Sequence, residues 1–272
     1  MKRFLTPIVA GLLSLAILAG CGGAPQQPAA SGNESEQNQV ESQTPTLDKI
    51  KAEGKLVIGT SPDYPPFETL DDQMNVIGFD IDVMQEVAKD LGVKLEIVQM
   101  DFGSLIEALK AGKFDIVAAG VTIDEKRQQQ VDFSDPYIAG TDALIMHVDS
   151  NLKVNSLEDL KGLTIAAQLG TVQADALKEV EGINVAEYDL FTTAATAVAA
   201  KQADGVFLND VVANAFVQQN PDKLKIVYQQ PTAPVAYAVR KDSPDLKQAV
   251  NETLARLKES GELDQLMLKW FK

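Results

Sequence analysis

Arg127 is the side chain best equipped for chemistry in this sequence, because of what stands around it. It lies in Ala118-Ala119-Gly120-Val121-Thr122-Ile123-Asp124-Glu125-Lys126-Arg127, which leads into Val131-Asp132-Phe133-Ser134-Asp135-Pro136-Tyr137. An apolar strand is expected over residues 114–118, ending in a Gly-Val-Thr turn. A helix should start at once, because Thr122 with Glu125 three residues on fits a capping box. Arg127 then falls in the first turns of that helix. A free carbonyl at Ala119 or Gly120, the Thr122 hydroxyl and the Arg127 guanidinium can converge on one spot. A guanidinium grips a carboxylate through two parallel, charge-assisted hydrogen bonds. A solvated helix arginine behind an ordinary cap would use the same residues, so the local pattern leaves both readings open.

Other chemistries lack their residues. His147 is the only histidine and Cys21 the only cysteine, so no second soft ligand exists to share a metal. Asp63, Asp71-Asp72 and Asp80/Asp82 do not have the spacing of a calcium loop. No Gly-Lys-Ser/Thr phosphate loop occurs, so the chain itself is not expected to hydrolyse ATP. The segment from Gly205 to Asp210 carries no nucleophile elbow. No metal, cofactor or catalytic residue is expected. Gly170-Thr171-Val172 does open a helix, and free N–H groups at a helix start attract anions.

The elements that must position these groups alternate. Strands are expected at residues 56–58, 95–98 and 114–118, with helices at 81–91 and 105–111 closed by Gly92 and Gly112. This βαβαβ order implies a mainly parallel sheet covered by helices. After Pro136-Tyr137-Ile138-Ala139-Gly140 the alternation restarts. Strands are expected at 144–146, 163–166, 184–188, 204–208 and 224–227, and helices at 172–180, 192–200 and 211–219. Pro231-Thr232-Ala233-Pro234 interrupts the chain. A strand at 235–239 and helices at 244–260 and 263–271 finish it. Leu246, Val250, Leu254 and Leu257 line one face of the first of these helices, and Leu263, Leu266, Met267 and Trp270 one face of the second.

Four motifs in this order resemble the polar amino acid family of extracellular solute-binding proteins that feed ABC transporters. They are Gly59-Thr60-Ser61-Pro62-Asp63-Tyr64-Pro65-Pro66-Phe67-Glu68, Gly78-Phe79-Asp80-Ile81-Asp82-Val83, the Arg127 stretch, and the ending from Gly261-Glu262-Leu263 to Lys269-Trp270-Phe271. The resemblance spans about residues 46 to 272. It implies an α/β, two-lobed, periplasmic-binding-protein-like fold of type II with a hinge between lobes. Lobe 1 would hold residues 46–138 and 233–272, and lobe 2 residues 139–232. Ligand would sit between them, outside the carboxyl ends of the strands, as in open α/β sheets generally.

The resemblance also implies site residues. Tyr64 and Phe102 match the positions of two rings that clamp the ligand side chain. Thr122, Arg127 and the Gly120 carbonyl would hold the amino acid from lobe 1. Thr171 and the Val172 N–H would meet its carboxylate from lobe 2, with Gln168 reaching the side chain. Ser61 stands where members preferring cationic ligands have aspartate, which weakens the case for a basic side chain. The family's lobe-2 aspartate for the ammonium falls on Asn209 when counted from Asp204, and on Asp210 when counted back from Phe216. Asp210 is expected, because desolvating an ammonium without a counter-charge is costly. Either residue could simply cap the following helix.

Lys2 and Arg3 precede an apolar run from Leu5 through Leu18, followed by Ala19-Gly20-Cys21. This describes a signal peptide over residues 1–20, and it resembles a lipobox, which implies diacylglycerol on Cys21. Residues 21–45 are polar and read as a flexible tether. The formal charge of −15 argues against nucleic acid. The expected partners are an amino-acid ligand, ABC permease subunits and a membrane held through the lipid on Cys21, with the protein a monomer on the extracytoplasmic face. The rival reading is a cyclic-acid dehydratase on the same scaffold. It needs a cleft acid as proton donor, for which only Glu68 and Asp63 lie near. A ligand-presenting sensor would carry the same binding site.

Overall fold

The structure, a computed structural model, describes residues 46–271. The expected signal peptide, the Cys21 anchor and the tether lie outside the described residues. Two five-stranded sheets carry the fold. The first runs in the order Lys94–Gln99, Lys55–Thr60, Ile116–Val117, Ala238–Val239, Asp132–Phe133. The second runs Asn184–Tyr188, Thr164–Gln168, Gly205–Asn209, Thr141–His147, Leu224–Pro231. Each begins with three parallel strands and ends with two joined by antiparallel pairing. Parallel strands are covered on both faces and so read as apolar runs. Leu56, Ile58, Ile165, Ala166 and Val206 are accordingly fully buried.

Helices cover these sheets where the apolar period predicts them. Phe79–Leu91 buries Phe79, Val83, Met84 and Val87 and ends on Gly92 in the left-handed conformation. Pro244–Ser260 lays Leu246, Val250, Leu254 and Leu257 into the core of the first sheet's side. Glu262–Trp270 follows across Gly261. The ring of Phe271 then packs 5.4 Å from Phe67 and 4.8 Å from Phe79, centre to centre.

Two segments connect the sheets, and they run side by side. Val235 bridges both Thr122 and Ile138. The Thr232 N–H donates to the Gly140 carbonyl at 3.1 Å. A Cβ on Gly140 would stand 1.8 Å from the Ala233 carbonyl oxygen, so only glycine fits that approach.

Several elements differ from expectation. The strand read over residues 114–118 is only Ile116–Val117. The strand read at 224–227 runs on to Pro231, because Thr141–His147 offers it a partner along its whole length. Helix Thr46–Glu53 had no local signal. It is held by Thr46 Oγ1 against Ser243 Oγ at 2.8 Å and by the Leu47 N–H donating to Asp245 at 2.8 Å. A small sheet of Asp63–Tyr64, Glu68–Leu70 and Val76–Ile77, where no strand was expected, lies over the first sheet's side.

Candidate functional site

Arg127 sits on the short helix Glu125–Gln128. The capping box expected at Thr122 and Glu125 does not form. The backbone of Thr122 is committed to its bridge with Val235, so the helix starts two residues later. Asp124 is the cap, its Oδ1 accepting the Arg127 N–H at 2.8 Å. The same carboxylate stands 3.1 Å from Arg127 Nε. Nη1 donates to the Thr122 carbonyl at 2.6 Å, and Nη2 crosses to the Gly170 carbonyl at 2.9 Å. The Phe102 ring lies 5.5 Å from the guanidinium carbon. Burial pulls the Arg127 pKa below the usual arginine value, while Asp124 and Asp175 push it back. The residue is only 8% exposed, yet a guanidinium keeps its charge in such a place.

A small cavity opens beside it, walled by Tyr64, Phe102, Gly120, Thr122 and Arg127 from the first sheet's side and Gln168, Thr171, Val172 and Gln173 from the second's. Gly120 has φ +56, which suits glycine, and its N–H donates to Asp80 at 2.9 Å. Asp80 is fully buried and also accepts from Tyr237 Oη at 3.1 Å. Burial pushes it up to about 6 against those bonds. The Tyr64 ring meets Phe191 edge-on, and its hydroxyl accepts the Asn209 N–H at 3.1 Å. Thr171 caps helix Val172–Lys178: its Oγ1 accepts the Ala174 N–H at 3.2 Å and donates to the Gln168 carbonyl at 2.7 Å. Thr171 therefore offers the cavity an occupied hydroxyl beside the free N–H groups of a helix start.

Two expected residues do not line this cavity. Ser61 donates to Asp63 at 2.9 Å and faces a neighbouring cleft with Pro62, Met100 and Leu190. Asp210 is the first residue of helix Asp210–Gln219 and is half-buried. Asn209, not Asp210, is the cap of that helix, its Oδ1 accepting the Val211 N–H at 3.1 Å.

Four groups that the sequence did not single out for ligand binding stand in or behind the wall. Gln173 lines the cavity, and its Nε2 donates to Asp142 at 2.6 Å. Asp142 is the cross-strand partner of Asn209 and is 2% exposed. Burial pushes it up to about 6, with the Asp210 charge adding to the rise and Gln173 and Thr232 opposing it. Glu68 pairs with Tyr64 in the small sheet and is fully buried. Among the described residues, neither of its oxygens has a hydrogen-bond partner. Burial, then the Asp80 and Asp63 charges, hold its carboxyl well above the usual range. Asp63 reaches across the cavity's edge to Gln168 and Phe191. Strand register and cross-cavity approach bring these acids in, and neither is written in a local motif.

Residues 56–272 match the family described as bacterial extracellular solute-binding proteins, family 3. The arginine-binding extracellular protein ArtP of Bacillus subtilis is 33% identical over 277 residues, covering 100% of this chain and 98% of its own. The L-cystine-binding protein TcyJ of Escherichia coli K12 is 30% identical, covering 83% of this chain and 85% of its own. Among solved structures, the P235GK mutant of ArgBP from T. maritima superposes with a TM-score of 0.80 at 41% identity, over 83% of this chain and 98% of that one. The periplasmic-binding-protein-like α/β fold follows from that likeness.

Proposed function

The chain belongs to the bacterial extracellular solute-binding proteins of family 3, and from that premise we propose that it closes on one amino acid with a cationic side chain and delivers it to the membrane subunits of an ABC transporter. It is a binding protein, not an enzyme, and it works outside the cytoplasm. No helix among the described residues is long and apolar enough to cross a membrane.

The observation that carries the ligand reading is the position of Arg127. Its guanidinium is fixed from one side by Thr122 and reaches across the cavity to a carbonyl on the other. A carboxylate entering here would replace the Gly170 oxygen with a charge-matched, two-oxygen partner. Thr171 and the Val172 N–H would meet it from the opposite wall. Residues 46–138 and 233–272 form lobe 1 in this reading and 139–232 lobe 2, with the paired connections as the hinge. The ammonium falls to the acidic corner of Asp210 and Asp142 beside Asn209. The side chain runs between Tyr64 and Phe102, with Gln168 alongside. Relatives named for arginine support a cationic side chain. Ligand would favour the closed form through contacts made on both walls.

The remaining parts of the reading are a lipid on Cys21, residues 21–45 as tether, and a monomer that docks on its permease. The relatives are named for binding, which gives the dehydratase alternative less support. The test is calorimetry with L-arginine, L-lysine, L-glutamine and L-cystine on the wild type and Arg127→Ala. The cationic pair should bind the wild type, and none should bind the variant while its thermal midpoint stays close to wild type. Near-wild-type affinity in Arg127→Ala would remove the guanidinium from the site.

A further inference from the structure

Asp63 belongs to the small sheet on the first sheet's side, yet its carboxylate serves the second. Oδ2 accepts the Phe191 N–H at 2.5 Å. Gln168 Nε2 lies 3.4 Å from each oxygen, and Ser61 Oγ steadies Oδ1 at 2.9 Å from its own side. Phe191 opens helix Phe191–Ala199, whose N-cap residue is Leu190, with no side-chain cap. The first N–H groups of a helix have no partner within it, and a carboxylate there is favoured by their combined dipole. Leucine cannot meet that need, and Asp63 meets it from across the boundary.

We propose that Asp63 is a clasp between the two halves, a positioning residue that stabilises closure without ligand and holds Gln168 at the cavity wall. Arg127 also crosses the boundary, but its bond to Gly170 is one that a ligand carboxylate would take over. Asp63 does not line the cavity, so cargo would not compete for its bonds. The clasp thus sets how much of the empty protein is already closed. Apparent affinity scales with that fraction. Tyr64 Oη, one residue on, accepts the Asn209 N–H and adds a second, neutral bond of the same direction.

The clasp stands apart from the ligand's identity, and only one arm of its test uses an amino acid. Hydrogen exchange on the ligand-free full chain should show the Phe191 amide protected in the wild type and fast in Asp63→Ala, with the strands of both sheets unchanged. Ser61→Ala, which leaves the carboxylate but removes its support, should give a smaller change at the same amide. Calorimetry with L-arginine should show Asp63→Asn weaker by about tenfold, as the closed fraction falls. Unchanged protection at Phe191 in both variants would overturn the clasp, whatever the ligand. Protection lost at Phe191 with unchanged arginine affinity would overturn its role in closure. If arginine fails to bind even the wild type, the ligand reading falls and the exchange arm still decides the clasp.

Discussion

Asp142 tunes the cavity from behind its wall. It never faces solvent, and it holds Gln173 in place through a 2.6 Å bond. Its burial raises it to about 6, whereas an unfolded aspartate titrates near 4. Between those values the folded chain keeps a proton that the unfolded chain has lost. Stability contributed by this group is therefore present below about pH 4 and lost as pH rises toward 6. Asp142→Asn removes that loss and keeps an oxygen for Gln173. The variant should be more stable than wild type at pH 7 by roughly 1–3 kcal/mol, with the gain gone at pH 4. Urea unfolding at the two pH values checks this, and an equal difference at both would refute it. At this scale the Arg127 stretch was legible because its parts are neighbours in sequence. Asp142 was not legible as a site residue, and Glu68 and Asp63 were named only as the rival's proton donors, since each gains its place from a residue brought close by folding. The choice between Asn209 and Asp210 had the same source: counting cannot reveal which of two adjacent residues caps a helix.

Helices announced themselves where apolar period and terminal glycine agreed, as in Phe79–Leu91 before Gly92 and Pro244–Ser260 before Gly261. Elements whose partners lie far away did not. Thr46–Glu53 is anchored on Ser243 and Asp245, and Asp132–Phe133 exists as a strand only because Ala238–Val239 runs beside it. The short helix of Arg127 shows tertiary structure overruling a local signal. Its expected cap, Thr122, is taken by Val235, and Asp124 acts instead. The connections between the sheets make a sharper test. Gly140→Ala would put a methyl where the Ala233 carbonyl already stands. Such a backbone clash costs roughly 1–3 kcal/mol when neighbours must shift. A clear drop in thermal midpoint is expected, and a midpoint equal to wild type would mean that the connections are not packed this closely.

Across the molecule, function depends on how closely the two halves approach. Gly103, in the turn Phe102–Ser104, faces Leu169 and Gly170 from the other side. A Cβ on Gly103 would lie 3.3 Å from the Leu169 oxygen, and one on Gly170 would come 2.8 Å from Gly103 Cα. Gly103→Val would add methyl groups beyond that limit and prop the cavity open. Binding should weaken at least about tenfold, since only the closed fraction is competent. The unliganded thermal midpoint should scarcely move. Calorimetry beside a melting curve distinguishes this from simple destabilisation, and full affinity in the variant would show that closure tolerates the wider gap. The two-block alternation of strands and helices was visible in the sequence, and so was the acidic charge that argues against nucleic acid. The distance between the blocks was not, because it rests on single glycines whose opposing surfaces are more than sixty residues away.

The ring of Phe271 against Phe67 and Phe79 has a consequence for when this protein can be finished. The side that bears Arg127 draws a strand and two helices from the last stretch of the described chain, whereas the Thr141–Pro231 sheet is contiguous. A growing polypeptide can complete the second long before the first. Until residue 271 has been synthesised, the arginine side lacks the aromatic plug of its interior. A polypeptide threaded through a membrane from its N-terminus would thus travel with this half unsealed and assemble it only on arrival.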